Sequence, residues 1–360
     1  MAAKPTVLVT GVSGNLGPSL LKQLDDCQVI GVDVDPPPAG AGVFRFEKID
    51  LAEERSCEQM LELMRTYRPE AVVHLAFVVD PVPAAIVERR AAWQVNVVGT
   101  SRVLEAVAEH NRTIGGIEKF IFPSSAMIYG PEPKGPVLED AALNAQSLPY
   151  ALHQQEADIT VQIRANSLRK CKTYILRSQV YAGADVENHH LAILRGTPGT
   201  NGRLGRALRR SGAKLPFLLP AGGNYLDHRL QFVHIDDVAR LISHIARRKE
   251  TDPQRNVLNV AGSGEALTLR RCIDIAGTRV KRKLFCRQAL RLRWKMGISD
   301  IPPAALPYLL GSCELETAKL RAFLGEQYGS VIQFTCEDAL RASFGAPKPE
   351  AAAALAGSRV

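Results

Sequence analysis

A doubly wound α/β fold, a parallel sheet covered on both faces by helices, is predicted by three observations. Short apolar runs alternate with helix-period segments through the first 180 residues. A glycine-rich turn follows directly on the first of these runs, and a carboxylate closes the second. A smaller, discontinuous C-terminal lobe is expected to complete the fold, because the pattern turns irregular after residue 178.

The elements fall in order. Strands are expected at residues 6–10, 28–33, 43–49, 71–75, 119–123 and 173–177, with helices near 15–26, 52–67, 88–110 and 149–170. Right-handed crossovers place the carboxyl ends of such strands, where ligands bind, along one edge. Loops containing Gly and Pro fill 182–224. Phe232-Val233-His234-Ile235 then precedes a helical run from Val238 to Arg248, for which Asp236 is the expected N-cap. Asn256–Val260 reads as one more strand, closed by Ala261-Gly262. The expected division is residues 1–180 for the first domain, with returns near 228–262. Residues 181–227 and 263–345 form the second lobe, and 346–360 an Ala-rich flexible tail.

With 46% hydrophobic and 23% charged residues, the chain has the composition of a soluble globular protein and enough length to bury a large core. No apolar run approaches the roughly 20 residues needed to span a bilayer. The first strand begins within about five residues of the first residue, so no signal peptide is expected. The seven cysteines, at 27, 57, 171, 272, 286, 313 and 336, show no zinc or redox spacing. They read as reduced thiols of a cytoplasmic protein, and no metal site is expected.

The net charge of +8 is unevenly placed. One basic block holds Arg195, Arg203, Arg206, Arg209, Arg210 and Lys214. A second holds Arg279, Lys281, Arg282, Lys283, Arg287, Arg291, Arg293 and Lys295. A solvated surface, an anionic substrate site, and a membrane-surface or nucleic-acid patch all remain open for these blocks. The segment Ala289–Met296 is expected to be a buried domain helix rather than an interfacial one. No recognised nucleic-acid-binding motif is present, so no specific nucleic-acid partner is expected.

Chemistry enters with Thr10-Gly11-Val12-Ser13-Gly14-Asn15-Leu16-Gly17. Strand, glycine-rich turn and helix start form the geometry that holds a dinucleotide pyrophosphate, because glycines let backbone N–H groups approach phosphates. Asp33 follows the second strand, 22 residues after Gly11. A carboxylate there accepts hydrogen bonds from ribose hydroxyls and repels a 2′-phosphate, favouring NAD over NADP. The fold is thus of the Rossmann type.

Several further motifs, in order, carry a resemblance. Thr10–Gly17 resembles TGxxGxxG, and Asp50-Leu51 resembles the pair whose acid meets the adenine amino group. Val73-His74-Leu75-Ala76 resembles a strand ending beside the cofactor, and Asn96-Val97-Val98-Gly99-Thr100 an NxxGT helix motif. Phe120–Gly130 resembles the strand and loop bearing a catalytic serine, Val233–Ala239 a return segment, and Glu316–Lys319 a C-terminal DxSK motif. On these residues the chain, over roughly 5–345, resembles an extended short-chain dehydrogenase/reductase. The branch it resembles is the NAD-dependent epimerase/dehydratase family, of UDP-glucose 4-epimerase-like type.

The resemblance implies the site. Ser125 would hydrogen-bond the reacting oxygen, with Ser124 as the adjacent alternative, and Tyr150 would be the general acid/base. Gly11, Ser13, Gly14, Asn15, Leu16, Gly17, Asp33, Asp50, Leu51, Leu75, Ala76, Asn96, Tyr150 and Gln154 would hold NAD. The family's lysine, four positions after the tyrosine, is Gln154 here. A tyrosine titrates near pH 10, so moving it about three units toward neutrality takes roughly 4 kcal/mol. A neutral amide keeps the ribose hydrogen bond but supplies no positive charge. Activity is therefore expected to be weak, with a high pH optimum, or lost with cofactor binding preserved. His153 is expected to be an exposed or partly packed helix residue and Arg177 half of a structural ion pair. Lys319 is expected to serve structure or the interlobe contact.

The substrate implied is a nucleotide-sugar or another anionic hydroxyl compound. The family's diphosphate arginine, however, falls on Leu230, with Arg229 one place earlier. That offset turns the side chain to the other face of an extended segment. Either the loop arginines near 195–210 replace it, or the substrate is not a nucleotide. The readings are an epimerase/dehydratase, a dehydrogenase/reductase of a non-nucleotide substrate, and a non-catalytic NAD-binding regulatory protein. A homodimer through the helices near 90–112 and 150–170 is implied by the resemblance.

Overall fold

The structure, a computed structural model, describes residues 4–79, 86–168, 170–249 and 252–345. The expected tail at 346–360 lies outside the described residues. Seven strands form one parallel sheet: β1 (Thr6–Thr10), β2 (Gln28–Asp33), β3 (Arg45–Lys48), β4 (Ala71–His74), β5 (Lys119–Ser125), β6 (Lys172–Ser178) and β7 (Arg255–Val260). Their spatial order is β7-β6-β5-β4-β1-β2-β3. The chain leaves β1 in one direction to β2 and β3, then returns to place β4 on the other side of β1. This switch opens a crevice beyond the carboxyl ends of β1 and β4, where such sheets bind ligands.

Alternation along the strands builds two cores. Val7, Val9, Val29, Val73, Ile121 and Leu176 face one layer, which includes α1 (Gly17–Gln23). Leu8, Ile30, Val72, Phe120, Phe122 and Ile175 face the other. That second layer holds α2 (Ser56–Tyr67), α4 (Thr100–Thr113) and α5 (Pro149–Arg164). Each fully buried Val, Leu, Ile or Phe contributes about 1.5–3 kcal/mol, so both faces are strongly held.

The expected helix over 88–110 is two helices, α3 (Ile86–Trp93) and α4, joined by a wide π-type turn at Gln94–Gly99. Gly99 packs tightly there, since a Cβ would lie 3.0 Å from Leu51 Cβ. The segments 180–182 and 232–234 pair in parallel, as do 217–220 and 280–283. Helix Ile235–Arg247 starts three residues earlier than expected. Its N-cap is His234, whose ring accepts the Asp236 N–H, so Asp236 lies inside the first turn. The helix over 286–295 corrects a second expectation. Of its residues only Cys286 is buried, and Leu292 stays 57% exposed. All seven cysteines are free thiols.

Candidate active site

The site begins at the end of β1. Gly11 adopts φ +69°, donates its N–H to Val32 O at 2.7 Å, and sits against the exit of β4. A Cβ on Gly11 would lie 2.4 Å from Ala76 N, and one on Gly17 would lie 1.9 Å from Val12 O. Glycine is thus demanded by close backbone approach at the first and last positions of the motif. Gly14 and Asn15 remain exposed, and with Gly11 and Leu16 they line one end of a large cavity. Asp33 sits at the tip of β2, where its carboxylate accepts the Ser13 N–H at 2.9 Å. That bond joins the glycine loop to the acid expected at the ribose.

Beneath the crevice, Thr10 and His74 are register partners on β1 and β4. His74 Nδ1 lies 2.7 Å from Thr10 Oγ1, and Nε2 lies 2.9 Å from Thr100 Oγ1. Thr100 donates its own hydroxyl proton to Asn96 O at 2.6 Å, so it accepts from His74. Burial pushes the ring's pKa down to about 3, so it is neutral.

Ser125, at the end of β5, and Tyr150, in the first turn of α5, meet at the middle of the same cavity. Pro149 sets the helix start, which fixes Tyr150 at the cavity wall. Burial raises the Tyr150 pKa above its ordinary value, against hydrogen bonds from Ser125 and Gln154 that lower it. The Gln154 amide donates to the Tyr150 hydroxyl at 3.4 Å. Phe77 meets the phenol ring edge-on, with centroids 5.7 Å apart.

A buried network separates the two serines. Ser124 donates its hydroxyl to Asp158 at 2.7 Å, while Ser125 accepts the Met127 N–H at 3.2 Å. Arg177, 2% exposed, makes a bidentate pair with Asp158 at 2.9 and 3.0 Å and donates to Tyr129 Oη at 2.8 Å. Tyr129 in turn donates to Asn259 at 2.8 Å. Arg177 is structural, as expected. Asp158, Tyr129 and Asn259 were not legible beforehand, because nothing local marks partners up to 130 residues apart.

The cavity brings together Gly11, Gly14, Asn15, Leu16, Leu75, Ser125, Tyr150 and Gln154. Ser13, Gly17, Asp33, Asp50, Leu51, Ala76 and Asn96 do not line it. Asn96 was expected to meet the cofactor. It is fully buried, exchanges hydrogen bonds with the Val78 backbone at 2.6 and 3.0 Å, and touches His153. Asp50 caps its own turn through Ala52 N, and Leu51 is core. His153 is buried rather than exposed, on the side of α5 facing Asn96. Lys319 is exposed.

The other end of the cavity is lined by Tyr181, Val186, His190, Leu230, Tyr308 and Cys313. Leu230 was singled out in the sequence; the others were missed because they come from distant, irregular segments. Leu230 enters the cavity, while Arg229 turns away to Glu314 at 3.3 Å and Glu265 at 3.7 Å. The loop arginines do not replace it. Arg195 donates to Val186 O and Ser343 O, and Arg206 to Thr200 O. Among the described residues no lysine or arginine lines the cavity. Burial lowers the His190 pKa to about 4, so that ring is neutral as well.

Fold and site together define a dinucleotide-binding α/β protein of the short-chain dehydrogenase/reductase kind. The chain belongs to the NAD dependent epimerase/dehydratase family, whose model matches residues 7–261. It is 30% identical over 188 residues to a UDP-glucose 4-epimerase of Azospirillum brasilense, covering 51% of each chain. It is 28% identical over 186 residues to the UDP-glucose 4-epimerase of Erwinia amylovora, covering 48% of this chain and 52% of that one. The chain thus spans about half the length of the curated relatives it matches. Among solved structures, Thermus thermophilus UDP-glucose 4-epimerase in complex with NAD aligns with TM-score 0.64 at 21% identity, covering 95% of this chain and 100% of that chain. MoeE5 in complex with UDP-glucuronic acid and NAD aligns with TM-score 0.65 at 20% identity, covering 97% and 99%. These structures share the fold.

The crevice fits the family's cofactor on its own geometry. The glycine loop has no room for side chains at Gly11 and Gly17, yet it exposes Gly14 to the cavity. Gln154 keeps a buried amide oxygen without a partner at the cavity wall, ready for a hydroxyl donor. Among the described residues no three His, Cys, Asp or Glu side chains cluster as metal ligands, and no helix is long and apolar enough to cross a membrane.

Proposed function

We propose that the protein is an NAD-dependent oxidoreductase of the epimerase/dehydratase type, in which Tyr150 and Ser125 act on one substrate oxygen. The observation that carries this reading is the meeting of the two hydroxyls in the cavity that the glycine loop also lines. The backbone of Gly11–Leu16 would hold the pyrophosphate, Asp33 a ribose, and Gln154 the ribose nearest the reacting centre. Bound NAD supplies the hydride acceptor and donor. Tyr150 takes the proton from a secondary hydroxyl as it becomes a carbonyl, and returns it on reduction. Ser125 holds the same oxygen by a hydrogen bond and keeps it beside the phenol. The UDP-glucose 4-epimerase relatives favour a nucleotide-sugar substrate and a cycle that regenerates the cofactor. The test is incubation with nucleotide-sugars, followed by NMR of the product and by absorbance of the reduced cofactor. Epimer formation with no net reduced cofactor supports the reading, and neither signal with any substrate overturns it.

A second reading, a dehydrogenase or reductase of a non-nucleotide substrate, is favoured by the substrate end. A diphosphate is best held by cations where water is excluded. Among the described residues this end has no lysine or arginine, a neutral His190, the Glu187 carboxylate, and Gln179 and Asn188 amides that already donate to Cys313 O and Tyr181 O. Net formation of reduced cofactor on a neutral alcohol would establish it.

Gln154 bears on a third reading, cofactor binding without turnover. In Gln154→Lys the added charge beside Tyr150 lowers the phenol pKa by about 1–3 units. The expected outcome is a pH–rate profile displaced to lower pH by at least about one unit. Inactivity of both forms favours a regulatory NAD-binding protein. A homodimer through α4 and α5 is also proposed, supported by the exposed stripe Leu152, Ile159 and Ile163 on α5 and testable by sedimentation equilibrium.

A further inference from the structure

Three readings of the basic blocks were open, and the cavity removes one of them. None of these residues lines it, so they do not serve substrate charge. The remaining question is what surface they make. Residues 196–226 and 275–299 contain thirteen Lys and Arg and no Asp or Glu. With a net charge of +8 for the chain, everything outside these two segments is at −5. None of the thirteen makes an ion pair among the described residues. Twelve are exposed, the exception being Arg293, which is partly buried and donates to Pro216 O.

The two segments form one unit. Strand 280–283 pairs with 217–220 in the register Val280↔Phe217 to Lys283↔Pro220. Gly202 and Gly297 touch backbone to backbone, a Cβ on either falling 2.4–2.5 Å from the other's Cα. This contact sets helix Arg203–Arg210 against the C-terminal end of helix Cys286–Lys295. On the latter helix Arg287, Arg291 and Lys295 recur every four residues on one exposed face. Gln288, Leu292 and Met296 run beside them, also exposed.

Large apolar side chains stand among these cations. Leu284 is 85% exposed, Phe285 72%, Leu292 57% and Leu204 48%. With Val280 and Met296 they make six of the sixteen exposed large apolar side chains among the described residues, Leu284 and Phe285 being the two most exposed, and such a concentration marks an interaction surface. From this juxtaposition we infer that the lobe formed by 196–226 and 275–299 docks on an anionic lipid bilayer surface. The cations meet the headgroups, while Leu284, Phe285 and Leu292 enter the headgroup–acyl boundary. Charge complementarity argues for an anionic partner, and the aliphatic character argues for lipid. A single-stranded nucleic acid would call for several stacking aromatics, whereas Phe285 is accompanied by leucines.

The inference rests on the surface alone and stands apart from the chemistry of the cleft. The test is flotation of the full chain with vesicles of phosphatidylcholine, alone or containing phosphatidylglycerol, at low and raised salt. Binding to the anionic vesicles only is expected. Arg287→Glu/Arg291→Glu/Lys295→Glu should weaken it by at least about tenfold, each charge near such a surface being worth about fivefold. Leu284→Ser/Phe285→Ser/Leu292→Ser should abolish the binding that survives raised salt. Calorimetric NAD titration, unchanged in both variants, reports that they remain folded. Absence of wild-type binding to anionic vesicles overturns the inference without any variant. Vesicle binding indifferent to the apolar triple variant, with tighter binding to a single-stranded oligonucleotide, overturns it in favour of a polyanion site.

Discussion

The two ends of the cavity are built in opposite ways. At the proposed cofactor end the elements that would recognise it are backbone and small residues: Gly11 at φ +69°, the exposed Gly14, and Asp33 tied to Ser13 N. At the substrate end they are bulky side chains from distant segments, Tyr181, Leu230 and Tyr308, with no cation among them. The first arrangement tolerates little change at Gly11 and Gly17, where a Cβ would lie 2.4 Å from Ala76 N and 1.9 Å from Val12 O. The second can change partner by exchanging single side chains, as the Leu230/Arg229 offset illustrates. On the proposed function, one fold would fix the cofactor through geometry and leave the substrate to side-chain chemistry.

Four changes test that contrast, the largest effect first. Tyr150→Phe removes the proton-transferring group at the junction of the two ends. Turnover should fall about 10²–10⁴-fold with NAD affinity retained, read by steady-state kinetics and calorimetry. Equal activity would detach the phenol from the chemistry. Asp158→Ala leaves the buried Arg177 without its carboxylate, and should cost about 3–5 kcal/mol in urea unfolding. A loss below about 1 kcal/mol would mean that the floor of the site is held by other contacts.

Leu230→Arg sharpens the contrast directly. It places a cation at the substrate end, and a charge-assisted hydrogen bond of about 1.5–3 kcal/mol should raise UDP affinity at least about tenfold. No gain would mean that this wall faces another part of the substrate.

The smallest effect is on pH dependence. The folded His74 pKa, about 3, lies below its ordinary 6.5, so the unfolded state binds the proton first. Stability is complete above about pH 6.5 and declines by up to about 1.4 kcal/mol per pH unit as pH falls toward 3. His190, at about 4, adds in the same direction. His74→Gln should flatten part of this acid limb in unfolding experiments between pH 7 and 5, and an unchanged slope would contradict the neutral Thr10–His74–Thr100 chain.

Much of this molecule was legible in its sequence, and the reasons are physical. Strand–turn–helix signals are local, so β1, β2, β4, β5 and β6 fell close to their expected places, and Gly11, Ser125 and Tyr150 meet at one cavity. The Leu230 offset was legible because a strand period of two decides which face a side chain takes. The network from Ser124 through Asp158, Arg177 and Tyr129 to Asn259 was not, because its members are joined only by tertiary folding. The helix at 286–295 was misjudged for a related reason. Its leucines alternate with arginines, and periodicity alone does not say whether a neighbour covers them. Asn96 was placed by resemblance at the cofactor, while its amide is committed to Val78.

The account stands on the crevice between β1 and β4 holding NAD by the glycine loop and Asp33. Calorimetric titration of the wild-type chain with NAD and then NADP tests this most directly. Saturable NAD binding, at least about tenfold tighter than NADP, is the predicted result, since Asp33 repels a 2′-phosphate. No heat with NAD, or equal affinity for the two nucleotides, would contradict it.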